Sequence, residues 1–170
     1  MEIVHAADLG DTDLSQLASL LIEAVDSGVS LTFRAPLDKD AAKRYWQDVR
    51  TEILLRKTLL ITARDGGRII GAVAISLGRQ ASNTNRAEVV RMLVNGAHRR
   101  KGVATALMQA AERTARALGR TLLHFDFAAQ EPTQKLLQKL GYSSGGTVQA
   151  AASANGGTAL DALIYYKRLA

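Results

Sequence analysis

Glu88-Val89-Val90-Arg91-Met92-Leu93-Val94, followed by Arg99-Arg100-Lys101-Gly102-Val103-Ala104, is the stretch whose reading decides the fold. The first run is a short apolar strand and the second a basic glycine turn. Beyond it Val103, Leu107, Ala110, Ala111, Thr114 and Leu118 recur at helical spacing on one face, with Gln109, Glu112, Arg113 and Arg116 on the other. Gly119 stands where a left-handed C-terminal stop is expected. The pattern predicts a strand, a turn and a helix that opens directly out of the turn.

That order has a chemical consequence. The first backbone N–H groups of a helix lack intrahelical partners and point outward at the positive end of its dipole. A phosphate or pyrophosphate fits there, and glycine at position 102 lets it approach the backbone with no Cβ in the way. Arg99, Arg100 and Lys101 add mobile positive charge at the rim. The plainer alternative is a basic surface loop ahead of an ordinary helix.

Composition narrows the function classes. A chain of 170 residues, 47% hydrophobic, fits one domain with a single sizeable core, spanning residues 1–170. No apolar run reaches the length of a bilayer span, and Met1-Glu2-Ile3-Val4-His5 lacks the basic start and apolar centre of a secretion signal. Without cysteine there is no disulfide framework, no thiolate nucleophile and no cysteine metal site. A cytoplasmic protein that needs no metal is the expectation. The net charge of +6 raises the question of nucleic acid, but the basic residues form no block and only 5% of residues are aromatic. A small polyanion is the preferred partner, with no nucleic acid and no membrane.

Taken in order, Glu2 to Ala7 reads as a strand, and Asp11 or Thr12 caps a helix bearing Leu14, Leu17, Ala18, Leu21 and Val25, ended by Gly28. A small-residue loop from Ser27 to Phe33 follows. Next comes a helix after Pro36-Leu37, with Ala41, Tyr45, Val49 and Ile53 on one face. Leu59 to Ala63 and Ile69 to Leu77 read as a hairpin turned by Asp65-Gly66-Gly67-Arg68. Leu122 to Phe127 is an interior strand, and Pro132 opens a helix carrying Leu136, Leu137 and Leu140 that stops at Gly141. Thr147 to Ala151 and Leu160 to Lys167 form a last hairpin about Asn155-Gly156-Gly157. One strand–helix–strand crossover between antiparallel hairpins gives an α/β sandwich around a mostly antiparallel sheet.

Arg-x-x-Gly-x-Ala, after a strand and opening an amphipathic helix, resembles the acyl-CoA pyrophosphate loop of the GNAT superfamily of N-acyltransferases. Asn85 to Val89, Leu122-Leu123-His124-Phe125-Asp126, Ile164-Tyr165-Tyr166-Lys167, Asp26 to Phe33, Pro36-Leu37 and Tyr45-Trp46 extend the likeness over most of the chain. They are most similar to the bacterial branch that includes tabtoxin resistance proteins. The resemblance implies a GNAT-like sheet splayed open between the strands at Glu88 and Leu122, flanked by helices. It implies an N-acetyltransferase that uses acetyl-CoA as co-substrate, needs no metal, and acetylates the primary amine of a small amino compound. A homodimer stays open.

The same resemblance supplies site residues. Arg99, Arg100, Lys101, Gly102 and Ala104 would hold the pyrophosphate, with backbone N–H groups of Val103 and Thr105. The backbone of Leu93 and Val94 would bind the pantetheine arm as an added strand. Glu88 would accept the amine proton, through water; the alternative is an edge carboxylate paired with Arg86 or Arg91. Asp126 would be a second carboxylate of the cleft, buried on the face it shares with His124 and opposite Phe125 and Phe127. His124 itself reads more readily as a hydrogen-bonded interior residue than as a catalyst. Ser30 and Phe33 would lie near the acceptor.

Three departures stand against the pattern. The tyrosine that commonly protonates the CoA thiolate, four residues before the glycine matching Gly141, is Leu137 here, and a leucine donates no proton. The polar residue after the aspartate is Phe127, and an aromatic of the penultimate strand is Ala151. Tyr142 or a water could take the missing donor's place. An acyl-CoA-binding module with weak or no transfer, and a peptide or protein N-acetyltransferase, are the competing readings.

Overall fold

Thr58–Asp65 (β2) and Arg68–Leu77 (β3) form the predicted hairpin, and around it the chain builds a seven-stranded sheet in the order β1-β2-β3-β4-β5-β7-β6. The other strands are Glu2–Ala6 (β1), Arg86–Val94 (β4), Leu122–Ala128 (β5), Ser143–Ser153 (β6) and Ala159–Arg168 (β7). This computed structural model describes residues 1–28, 33–78, 80–129, 131–153 and 157–169. Every neighbouring pair is antiparallel except β4 and β5, which run parallel and are joined through a helix, as parallel neighbours require. The expected α/β sandwich with a mostly antiparallel sheet is what forms.

Four helices cover the sheet. Asp11–Asp26 (α1) and Lys39–Leu54 (α2) lie on one face, where Leu14, Leu17, Leu21, Ala42 and Trp46 pack with Leu60, Ala72, Ala74 and Leu93. Val103–Ala117 (α3) and Glu131–Lys139 (α4) lie on the other, where Val103, Leu107, Met108, Ala111 and Leu137 pack with Val73, Ile75, Val89, Leu123 and Phe125. Among the described residues, the core under α1 and α2 draws on β2, β3 and β4 and holds none of β5, β6 or β7. Half the sheet is thus sandwiched, while the β5–β7 half is covered on one face.

Several local expectations shift. α1 starts after Gly10 without a side-chain cap, so Asp11 stands inside the first turn, where its charge meets the helix dipole, and neither Asp11 nor Thr12 caps it. α2 is capped by Asp38, whose carboxylate accepts from the N–H groups of Asp40 and Ala41 at 3.0 Å. Its buried face is Ala42, Trp46, Val49 and Ile53, rotated one residue from the expected Ala41 and Tyr45, because the fully buried Trp46 takes the centre. On α3, Leu118 is 47% exposed and Glu112 is buried, the reverse of the periodic reading.

Candidate active site

The register places a split in the sheet. β4 pairs with β5 only from Arg86↔Leu122 to Val89↔Phe125, and past that row the two strands part. At the same point Val90 is a bulge: Ala74 pairs with Arg91 and Ile75 with Val89, leaving Val90 unpaired on the β3 side. A bulge bends its strand and increases the local twist. From Val90 to Val94, β4 therefore offers β5 no ladder, and its outer edge is open to an extended ligand. Leu93 and Val94, the residues assigned to the pantetheine arm on the resemblance, lie on this unpaired stretch.

At its far end the edge leads into the basic turn. A 3-10 turn over Gly96–His98 delivers the chain to Arg99, and α3 begins after Gly102. Arg100 has φ +63° and Gly102 φ +83°, two left-handed residues in one short loop. A left-handed residue followed by the right-handed start of a helix turns successive N–H groups toward one point, an anion-binding nest. No side chain caps α3, and its first turn holds no acid. The backbone of Val103, Ala104 and Thr105 and the exposed Arg99, Arg100 and Lys101 thus lie together around the start of α3, an arrangement suited to an anion. A Cβ on Gly102 would meet no protein atom within 4 Å, so within the protein it is the positive φ that calls for glycine.

Two devices hold this loop that the sequence reading missed. Gly71 on β3 lets α3 close on the sheet: a Cβ there would come within 2.9 Å of Val103 Cγ1 and 3.0 Å of the Leu93 carbonyl. From the other face, the Glu23 carboxylate on α1 accepts from Asn95 Nδ2 at 2.9 Å and from the Gly96 N–H. Asn95 Oδ1 in turn meets His98 Nδ1 at 2.9 Å. The turn-forming pair Asn95-Gly96 was the visible signal; its partner, 72 residues away, was not.

At the other end of the split, Glu88 pairs across the sheet with Ser76 of β3 and His124 of β5, and His124 with Tyr166 of β7. Facing partners share a side of the sheet, so these four form one polar row. Glu88 is half-buried and, among the described residues, forms no ion pair with Arg86 or Arg91. Arg91 is instead held over the rings of Tyr45 and Phe33, 5.0 and 5.9 Å from their centroids, and its Nε donates to the Tyr45 hydroxyl at 3.0 Å. Asp126, expected buried, is 46% exposed, because no helix covers this side of β5; its Oδ1 lies 3.8 Å from His124 Nδ1. Phe33 stacks edge-on against Tyr45 at 5.2 Å on this same face. Ser30 lies outside the described residues.

Tyr142 is no substitute for the tyrosine missing at 137. It belongs to the core on the α3 side, and its buried hydroxyl lies near the Glu112 carboxylate with no well-formed hydrogen bond among the described residues. Burial, and then the Glu112 carboxylate nearby, push its phenol well above the ordinary value. Leu137 is wholly buried in the same core.

Beside them Lys167 Nζ binds both Glu112 oxygens, at 3.0 and 2.9 Å, and the Leu140 carbonyl at 2.6 Å. The carboxylate read from periodicity as solvated is a buried tie between α3, β7 and the end of α4. Among the described residues no group of His, Asp and Glu is arranged to hold a metal ion, and no helix is long and apolar enough to cross a membrane.

Comparison with known proteins bears on this geometry. Residues 24–142 match the model of the acetyltransferase (GNAT) family. Among solved structures, an N-acetyltransferase from Staphylococcus aureus is 19% identical, with all of both chains covered and a TM-score of 0.81. A ribosomal-protein-alanine N-acetyltransferase from Brucella melitensis is 20% identical over 99% of this chain and 100% of its own, at 0.81. The yncA protein of Salmonella typhimurium, solved with its cofactor acetyl-CoA, is 18% identical over 100% of this chain and 95% of its own, at 0.78.

Proposed function

The chain belongs to the acetyltransferase (GNAT) family, which uses acetyl-CoA as co-substrate, and on that premise we propose that it is an N-acetyltransferase acting on the primary amine of a small amino compound. One observation carries the reading. A single open strand edge joins an uncapped, cation-rimmed helix start to a half-buried carboxylate on the acceptor side of the split. Within the family, the motifs are most similar to those of the tabtoxin resistance branch.

The mechanism follows from the residues. Arg99, Arg100, Lys101 and the N–H groups of Val103 to Thr105 bind the pyrophosphate, and the Leu93–Val94 backbone aligns the pantetheine arm toward the bulge. The acceptor enters from the face of Phe33, Tyr45 and Arg91, with Ser30 assigned to its binding on the resemblance alone. Glu88 takes one proton from the entering ammonium, through water, which frees the nitrogen lone pair for direct attack on the thioester. A backbone N–H near the bulge steadies the developing oxyanion. No enzyme nucleophile is needed, in keeping with a chain without cysteine.

Glu88→Gln tests this. Turnover with the best amine of a panel of small primary amines should fall about 100-fold while acetyl-CoA affinity by calorimetry stays nearly constant. Unchanged turnover would remove Glu88 from the mechanism. The buried, apolar Leu137 favours a second reading, an acyl-CoA-binding module; tight CoA binding with no thiol release for any amine would establish that instead.

A further inference from the structure

A second proton has to move, and the chain has no hydroxyl at position 137 to deal with it. The acceptor arrives as an ammonium and loses one proton to Glu88. After attack the nitrogen of the adduct still carries an extra proton, and the leaving sulfur needs one. The polar row at the split contains a group suited to both tasks. We propose that the His124 imidazole takes the second proton from the nitrogen of the adduct and delivers it to the departing CoA thiolate, with Asp126 as its positioning residue. The proposal rests on the transferase reading above.

Position supports the assignment. His124 faces Glu88 directly across the β4–β5 ladder, at about 4.8 Å between strands, one row before the last paired row, Val89↔Phe125. A thioester laid along the open edge of β4 ends where that ladder closes, so its carbonyl carbon comes to rest beside the imidazole. Asp126, two residues on and past the last paired row, lies on the same face with Oδ1 3.8 Å from His124 Nδ1. At that separation the carboxylate lies near Nδ1 without a direct hydrogen bond, and Nε2 has no protein partner among the described residues. The imidazole is 22% exposed against 46% for the carboxylate, so the ring is shielded and its partner wet.

Other candidate donors are less suited. Leu137 has no proton to give, and the Tyr142 hydroxyl is buried in the core under α3, away from the open edge of β4. Tyr166 shares the row but stands one strand further from the split, beyond His124.

The step balances. The N–C bond forms, the C–S bond breaks, one proton passes from nitrogen to imidazole to sulfur, and the proton taken by Glu88 leaves to solvent. An imidazole can accept a proton at one nitrogen and give it up again, so it can take one from the acidic adduct nitrogen and return it to the more basic thiolate. The groups facing it are Glu88 from β4, Asp126 along β5 and Tyr166 from β7, with Arg86 and Arg168 flanking Leu122 one row away.

Thiol release from acetyl-CoA with the best amine of the panel, followed from pH 5.5 to 9, tests the proposal. His124→Gln should lower kcat about 100-fold, leave the acetyl-CoA Kd within about twofold and abolish the imidazole limb of the pH profile. His124→Ala should regain activity with added imidazole, and Asp126→Glu should keep more of kcat than Asp126→Ala, with the acetyl-CoA Kd unchanged in both. Tyr166→Phe should behave as wild type. A His124→Gln enzyme with wild-type kcat and an unmoved limb would overturn the shuttle and leave the transferase standing. A wild type that binds acetyl-CoA but releases no thiol would overturn both.

Discussion

At its N-terminus α3 leaves its polar groups open: no side chain caps it, and arginines and a lysine line the approach. Nine residues later, about 14 Å along the axis, Glu112 is 5% exposed and clasped by Lys167. One end is arranged for a ligand and the other for the fold. The comparison shows that a charge on a helix is read by what lies opposite it. The turn before the helix carries a solvated rim at Arg99–Lys101, while Glu112, on the face that periodicity reads as outer, is a buried tie.

Breaking the closed end should give the largest effect. Glu112→Ala strands the Lys167 ammonium beside the Leu140 carbonyl and Tyr142, and should lower unfolding stability by about 3 kcal/mol in urea titrations. CoA affinity of the folded fraction should not change. A loss below about 0.5 kcal/mol would mean that the tie is no stronger than a surface pair.

The open end should respond the other way. Arg99→Ala combined with Gly102→Glu removes a cation, adds an anion and places a side chain at φ +83°. The CoA Kd should rise about tenfold or more, roughly 1.4 kcal/mol, against about 1–2 kcal/mol of stability for the left-handed residue. Unchanged CoA affinity would put the pyrophosphate elsewhere.

Tyr142→Phe sharpens the contrast with the smallest effect. It deletes a buried hydroxyl with no well-formed hydrogen bond among the described residues, so stability at neutral pH should be unchanged or raised by up to about 1 kcal/mol. The sign with pH is set by the raised phenol pKa. The unfolded chain releases that proton near pH 10 while the folded chain keeps it, so wild-type stability falls as pH rises past that value. Urea midpoints at pH 8 and 10.5 should converge in the variant more than in the wild type.

Much of this was legible in the sequence because it is local. Asp65-Gly66-Gly67-Arg68 turns the hairpin where glycines accept positive φ, and Gly66 and Gly67 do so at +54° and +79°. Val103, Leu107 and Ala111 mark the inner face of α3 because burial repeats with the helical period. The misreadings share a different cause. Asp126 looked buried because its strand is apolar, yet only one side of that strand is covered. The alternative of a Glu88 pair with Arg91 does not form among the described residues, because Arg91 sits over the aromatic pair Phe33–Tyr45.

The amino-acid order by itself determined the crossover, the hairpins and the uncapped start of α3, since turns, caps and periodicity involve residues within a few positions of one another. The tertiary structure alone decided which charges are buried, how Glu23 clamps the loop and that Glu88, His124 and Tyr166 share one row. Those facts depend on strand order and register. They bring together side chains tens of residues apart, and no local pattern encodes what will cover them.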